Sequence, residues 1–158
     1  MIDRECVARY YIAEKWRRDP KNGPSMADNV ARTVRWREEE RVDRLGPEDV
    51  ARQAWNGYLY TNGTDKMGRP LIYFRPAAQS AKRPEEAIRY LVYTLERALA
   101  AGRRNGGVEA YSFIIDCGGF SLTNMPPVHL IKQTFQLLHH HYPTRVGFIC
   151  IRTSFFVN

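Results

Sequence analysis

Three consecutive histidines, His139-His140-His141, are the first residues in this chain to suggest a metal. Their spacing argues against one. Successive helical residues point about 100° apart, so three imidazoles in a row cannot converge on a single ion. No Cys, Asp or Glu stands close by to complete a ligand set. Imidazoles in a last helical turn also complement the negative end of the helix dipole. The triplet is therefore read as a helix end. Cys117 follows an apolar run and, with a remote His, has the make-up of a thiol nucleophile. The sequence around it carries no cysteine-protease signature, so it is read as a small side chain in a turn. Asp116 beside it suits either a catalytic carboxylate or a turn residue bonded to its own backbone, and the second role is expected. Gly118-Gly119 is only a faint phosphate turn, and neither GxGxxG nor GxxxxGK[ST] occurs anywhere. The chain is not expected to be an enzyme or to hold a metal or cofactor. The enzymatic alternative is a hydrolase using Cys117 or Asp116 with a His.

Charge supplies a second clue. With 24 Lys+Arg against 17 Asp+Glu, the net charge of +7 suits an anionic partner. The basic residues are spread out, with no long Lys/Arg block. Tyrosine and arginine are plentiful enough for base stacking, but RRM, helix-turn-helix and zinc-finger signatures are missing. No nucleic-acid partner is expected. At 158 residues the chain can bury a core without staples. The three cysteines, Cys6, Cys117 and Cys150, form neither a disulfide framework nor a zinc knuckle. The charged start, Met1 to Glu5, lacks a signal-peptide segment. No apolar run reaches the roughly 18 residues of a membrane span. The expected location is the cytoplasm.

The elements that would position these residues fall into two regions. Val7, Tyr10, Tyr11 and Glu14 repeat at helix spacing, and Trp16 closes that segment. Asp19 to Pro24 is a break. Ser25, with Asp28 three residues on, starts a second helix carrying Val30, Val34 and Trp36. Glu48 to Trp55 suits another short helix. The pattern then changes. Tyr58-Leu59-Tyr60 and Leu71-Ile72-Tyr73-Phe74 read as strands around a turn with Asn62-Gly63 and Met67-Gly68. Pro84-Glu85-Glu86 opens a helix with one apolar stripe, Ile88, Leu91, Val92, Leu95 and Leu99, and Gly102 is expected to end it. Ala110 to Ile115 is apolar on both faces, as in a covered parallel strand. A helix from Asn124-Met125-Pro126-Pro127 to Tyr142 and a buried strand from Val146 to Ile151 complete a βαβ unit.

Asp65-Lys66-Met67-Gly68-Arg69-Pro70 is the most informative segment. On physical grounds it is a charged turn in which Gly68 supplies backbone freedom and Pro70 enters an edge strand. Together with four other segments it resembles the CRAL-TRIO domain family of lipid-binding and lipid-transfer proteins. Cys6 to Trp16 is similar to the family's first helix, and Thr33-Val34-Arg35-Trp36-Arg37 to its T-x-x-W-R helix. Gly57 to Tyr60 with Asp65 to Pro76 resembles the D-K-x-G-R-P hairpin. Phe113 to Leu122 resembles the central strand with its D-x-x-G turn, and Tyr142 to Gly147 the Y-P-E-R-L-G step.

The resemblance implies an α/β fold. An N-terminal helical segment, residues 1–50, would precede a partial mixed β-sheet with flanking helices, residues 51–158. It implies an incomplete version, since Arg152 to Asn158 stand where an Asn-x-Pro turn, a gate helix and further strands would follow. It also implies an apolar pocket for one phospholipid or other hydrophobic lipid, moved between membranes, as in phosphatidylinositol transfer. The pocket floor would be Tyr111, Phe113 and Ile115, with Ser112 and Ile114 turned to a covering helix by strand alternation. Phosphatidylcholine-binding relatives place small hydroxyl side chains at the positions of Tyr111 and Phe113, so the aromatics here argue against a choline-lipid headgroup site. Lys15 matches the second member of a headgroup-binding basic pair, while Glu14 replaces the first. Transient contact with an anionic membrane is expected, and self-association if the floor is uncovered. The alternative is a lidless interaction module that binds an acidic protein or membrane surface and carries no lipid.

Overall fold

The computed structural model describes residues 4–15, 24–79, 83–121 and 125–153. Trp16, the break from Asp19 to Gly23, Leu122, Asn124 and the tail from 154 onward lie outside them. The chain divides into two compact units.

The first unit comprises Met1–Leu45 and Phe135–Thr144. It holds α1 (Arg4–Lys15), α2 (Met26–Glu39), a 3-10 turn at Val42–Arg44 and the last part of α5 (Val128–His141). The expected start of α2 is present in full. The Asp28 N–H donates to Ser25 Oγ at 3.2 Å, and the Ser25 N–H donates to Asp28 Oδ2 at 3.0 Å. This reciprocal box satisfies two orphan donors of the first turn. The core of this unit is polar as well as apolar. The Tyr10 hydroxyl donates to Thr33 Oγ1 at 2.7 Å, and the Thr33 hydroxyl donates to the His140 carbonyl at 3.2 Å. Arg9 donates to the Thr144 carbonyl at 3.0 Å.

The second unit comprises Gly46–Thr134 and Arg145–Asn158. It contains α3 (Ala51–Ala54), α4 (Pro84–Arg104) and a four-stranded sheet of β1 (Leu59–Thr64), β2 (Pro70–Phe74), β3 (Tyr111–Asp116) and β4 (Val146–Arg152). The spatial order is β1-β2-β3-β4. The β1–β2 pair is antiparallel, and the β2–β3 and β3–β4 pairs are parallel. This is the mixed sheet the resemblance implied. In register, Leu59 pairs with Phe74, Ile72 with Phe113, and Phe113 with Ile149.

The apolar stripe of α4 packs on this sheet. Ile72, Leu95, Ala98 and Tyr111 have no exposed surface. The Tyr90 hydroxyl of α4 donates to the Leu59 carbonyl of β1, fixing the helix against the strand end.

Three expectations need correction here. The strand from Val146 to Ile151 is not buried: Phe148, Ile149 and Ile151 are exposed, because β4 stands last in the strand order. Gly102 does not end α4, which runs on to Arg104. Gly102 is buried, and a Cβ there would collide with the Val108 carbonyl. The glycine lets the chain fold back so that the Val108 N–H donates to the Gly102 carbonyl at 3.0 Å. The third correction concerns β3. Ser112 does not face a covering helix. Its hydroxyl donates to Asp65 Oδ2 of the β1–β2 turn at 3.3 Å. Phe74 pairs with Ile115 on the Tyr111 face and meets Tyr58, which meets Tyr90 of α4, so α4 lies on the Tyr111 side. Strand alternation separates the two sets of side chains, but it does not say which set a helix covers. That is fixed by the crossover from β2 through α4 to β3.

Candidate functional site

Tyr111 and Phe113 lie on one face of β3 and meet edge-to-face, with ring centroids 5.6 Å apart. Tyr111 is fully buried and Phe113 is 8% exposed, whereas Ile115 is half-buried. Together with Ile72, Leu59, Tyr58 and Tyr90, they make an aromatic layer between sheet and helix. Tyr58 meets Tyr90 edge-on at 5.4 Å and Phe74 at 6.5 Å.

The layer contains a polar anomaly. The hydroxyls of Tyr58 and Tyr111 are buried without a hydrogen-bond partner. An unpaired buried hydroxyl costs about 1–3 kcal/mol. Burial pushes both phenols well above the usual tyrosine range. For Tyr111, nearby Arg145 opposes that shift and Glu96 adds to it. Both groups are therefore neutral donors seeking an acceptor.

The family-like motifs converge around this layer as brackets rather than as reacting groups. Asp65 is the hub of the first. Its Oδ1 accepts the N–H groups of Met67 at 2.8 Å and Arg69 at 3.0 Å. Its Oδ2 accepts Arg69 Nε at 2.6 Å as well as the Ser112 hydroxyl. Burial opposes ionisation of Asp65, but Arg69 and the two backbone donors outweigh it and hold the carboxyl below its usual range. The Arg69 guanidinium then lies over the Phe148 ring of β4, 5.4 Å from its centroid. Gly147 makes that crossing possible, since a Cβ there would overlap Arg69.

Asp116 takes the turn role expected of it. Its Oδ1 accepts the Gly118 N–H at 3.0 Å. Arg152 Nη1 donates to Oδ1 at 3.1 Å and to Oδ2 at 3.0 Å. The Gly118 bond leads in holding this carboxyl below the usual range, with Arg152 and Arg75 assisting against burial. Cys117 is a half-buried free thiol beside it.

The histidines form a helix end, as expected. His141 Nδ1 lies 2.9 Å from Thr33 Oγ1, and the ring stacks on Trp36 with centroids 4.0 Å apart. Burial pushes the His141 imidazole down to about 4, helped by His140, Arg32 and Arg37. Among the described residues, no group of three His, Cys, Asp or Glu side chains could hold a metal.

Lys15 belongs to the helical unit, and Tyr111, Phe113 and Ile115 to the sheet unit. Lys15 is exposed at the end of α1, with Nζ 4.8 Å from the centroid of the Tyr11 ring. Glu14 beside it is half-buried.

Sequence reasoning missed Glu109. This buried carboxylate accepts Arg145 Nη1 at 2.8 Å and Arg103 Nε at 2.9 Å. Its backbone carbonyl accepts Arg145 Nη1 at 3.0 Å. The signal was the Arg145 of the Y-P-x-R-x-G step, a cation in an apolar setting that had to find a partner.

A four-stranded mixed sheet under a crossover helix, bracketed by these motifs, defines an α/β domain. The CRAL/TRIO domain model matches residues 54–158, and the chain belongs to this family. A CRAL-TRIO domain-containing protein of Schizosaccharomyces pombe is 31% identical over 146 residues, covering 92% of this chain and 14% of that protein. The phosphatidylinositol transfer protein PDR17 of Saccharomyces cerevisiae is 27% identical over 158 residues, covering 92% of this chain and 43% of that protein. The chain thus spans less than half the length of these relatives. Among the described residues, no helix is long and apolar enough to cross a membrane.

Proposed function

We propose that this chain binds a single phospholipid or other hydrophobic lipid against the Tyr111, Phe113 and Ile115 face of β3. The lipid is carried between membranes without chemical change. The observation that carries this reading is the buried, unpartnered Tyr111 hydroxyl in the aromatic layer. A lipid ester or phosphate oxygen is the kind of acceptor it lacks. Membership of the family supports the reading, as does similarity to a protein named for phosphatidylinositol transfer. Lys15, an exposed cation of the helical unit, is proposed to meet anionic headgroups. Entry requires α4 or the aromatic rings to yield, because Tyr111 and Phe113 are closed over. The working place is the cytoplasm, with transient contact at anionic membranes.

Organic extraction of the purified full chain, followed by mass spectrometry, tests the proposal. One lipid class should co-purify, and the protein should move it between vesicles. Tyr111→Phe should lower the lipid content while raising the stability of the empty protein by about 1 kcal/mol, since it removes an unpaired hydroxyl. Protein free of lipid and inactive in transfer would refute the reading.

A second reading rests on β4. Phe148, Ile149 and Ile151 are 37%, 52% and 59% exposed on a strand that, among the described residues, has a strand neighbour on one side only. Such an edge, with no proline or charge from Val146 to Ile151, suits pairing with another strand. On that reading the protein associates with itself or with a partner and carries no lipid. Concentration-dependent elution in size exclusion, abolished by Ile149→Lys, would favour it.

A further inference from the structure

The carboxyl ends of β2, β3 and β4 and the start of β1 share one rim of the sheet unit. Hydrogen bonds and close approaches tie that rim together. Arg75, just after β2, donates from Nη2 to the Gly57 carbonyl at 2.9 Å. The Cys117 N–H, just after β3, donates to the Arg152 carbonyl of β4 at 2.9 Å. A Cβ on Gly119 would stand 3.9 Å from the Ala77 side chain. Arg75 and Arg152 both act on the Asp116 carboxylate.

The surface chemistry of this rim is unusual for a wall of a folded domain. Trp55, two residues before Gly57, is 89% exposed. Trp36, by contrast, is half-buried and stacked. Phe120, in the turn after β3, is 39% exposed, and Ile151 at the end of β4 is 59% exposed. The exposed Arg75 and Arg152 stand beside the Asp116 carboxylate, and the exposed Arg52 lies three residues before Trp55, in α3. Leaving an indole in water forgoes a large burial free energy. Indoles find their preferred surroundings at the headgroup level of a bilayer, where the ring is half apolar and its N–H is hydrated. Arginines beside it meet anionic headgroups.

We infer that this rim is a membrane-docking surface for anionic bilayers, with the Trp55 indole and Phe120 ring as its interfacial anchors and Arg52, Arg75 and Arg152 as its charge contacts. It deepens the lipid-carrier reading, on which it rests, by saying which surface meets the membrane. The occupant argued for is a bilayer, whose interfacial region suits the amphipathic indole while its anionic headgroups suit the arginines.

The test uses the full chain with phosphatidylcholine vesicles, with and without phosphatidylserine, some carrying bromine-labelled acyl chains. Brominated lipid should quench part of the tryptophan emission, and Trp55→Phe should abolish that part. Trp55→Ala should weaken sedimentation with anionic vesicles about fivefold, as expected for an interfacial aromatic. Arg75→Gln combined with Arg152→Gln should remove most of the preference for anionic vesicles. All these positions are exposed, and circular dichroism should show native folding in each variant. Sedimentation with vesicles without quenching of Trp55, or unchanged affinity in Trp55→Ala, would overturn the inference. So would retention on an acidic polypeptide that Trp55→Ala leaves intact, combined with no vesicle binding. Extracted lipid is read separately. Lipid present without Trp55 quenching sinks the docking rim and leaves the carrier reading standing. Trp55 quenching without extractable lipid does the reverse.

Discussion

The residues that resemble a family motif here act mostly by holding other residues still. Asp65 fixes the hairpin turn and reaches across the sheet to β3. Gly147 is present because Arg69 needs the space above it. Arg145 is held by Glu109, and both side chains are 6% exposed. Breaking such a buried pair leaves one uncompensated charge, which costs about 3–5 kcal/mol. Glu109→Gln should therefore lower the urea midpoint sharply with little change in slope. Replacing both residues, Glu109→Leu with Arg145→Met, should recover much of that loss. An equal loss in the double variant would show that the pair does more than neutralise itself. Arg145 signalled that a partner was needed, but which residue it would be was not legible in the sequence. Glu109 is a lone acid after a Gly-rich turn, and such residues are ordinarily solvated. The ion pair joins positions 36 apart, where local periodicity carries no information.

Elements were far easier to read than the contacts between them. The capping box at Ser25 and Asp28, the stripe of α4 and the β-rich runs each follow from spacing within a few residues. Gly102 misled because a glycine late in a helix ordinarily marks its end. Here a backbone approach needed the missing side chain instead. The side of β3 covered by α4 was likewise hidden, since alternation is symmetric between faces. The end of α5 shows what an element can hide chemically. His141 is neutral where it stacks on Trp36, because its imidazole is pushed down to about 4 from an ordinary 6.5. A depressed base stabilises the fold fully above pH 6.5. That contribution is lost as pH falls from 6.5 towards 4. Because the ring is partly solvated, screening reduces the effect to about 1–2 kcal/mol. Thermal unfolding between pH 7 and 4 should show it as a falling Tm, and His141→Gln should flatten that part of the curve. An unchanged slope in the variant would assign the pH dependence elsewhere.

For the whole molecule, the charge of +7 sets how it meets other bodies. Attraction to anionic vesicles should weaken as added salt shortens the Debye length to about 8 Å at 0.15 M. Binding measured at rising salt should fall for anionic vesicles and stay nearly level for neutral ones. Equal affinity for both at low salt would remove the electrostatic part. The hairpin clasp has a further consequence, in the breathing of the sheet. Asp65 holds Ser112 of β3, and Arg69 lies across Gly147 and Phe148 of β4, all near the amino ends of the parallel strands. The opposite ends of β3 and β4 are joined by the more exposed Arg152–Asp116 pair. Opening should therefore run like a zip from the end with the more exposed ion pair, so that backbone amides donated into the sheet near Asp116 and Arg152 exchange with deuterium well before those near Tyr111 and Ser112. Asp65→Asn should speed exchange at the Tyr111 end and leave the other end almost as it was.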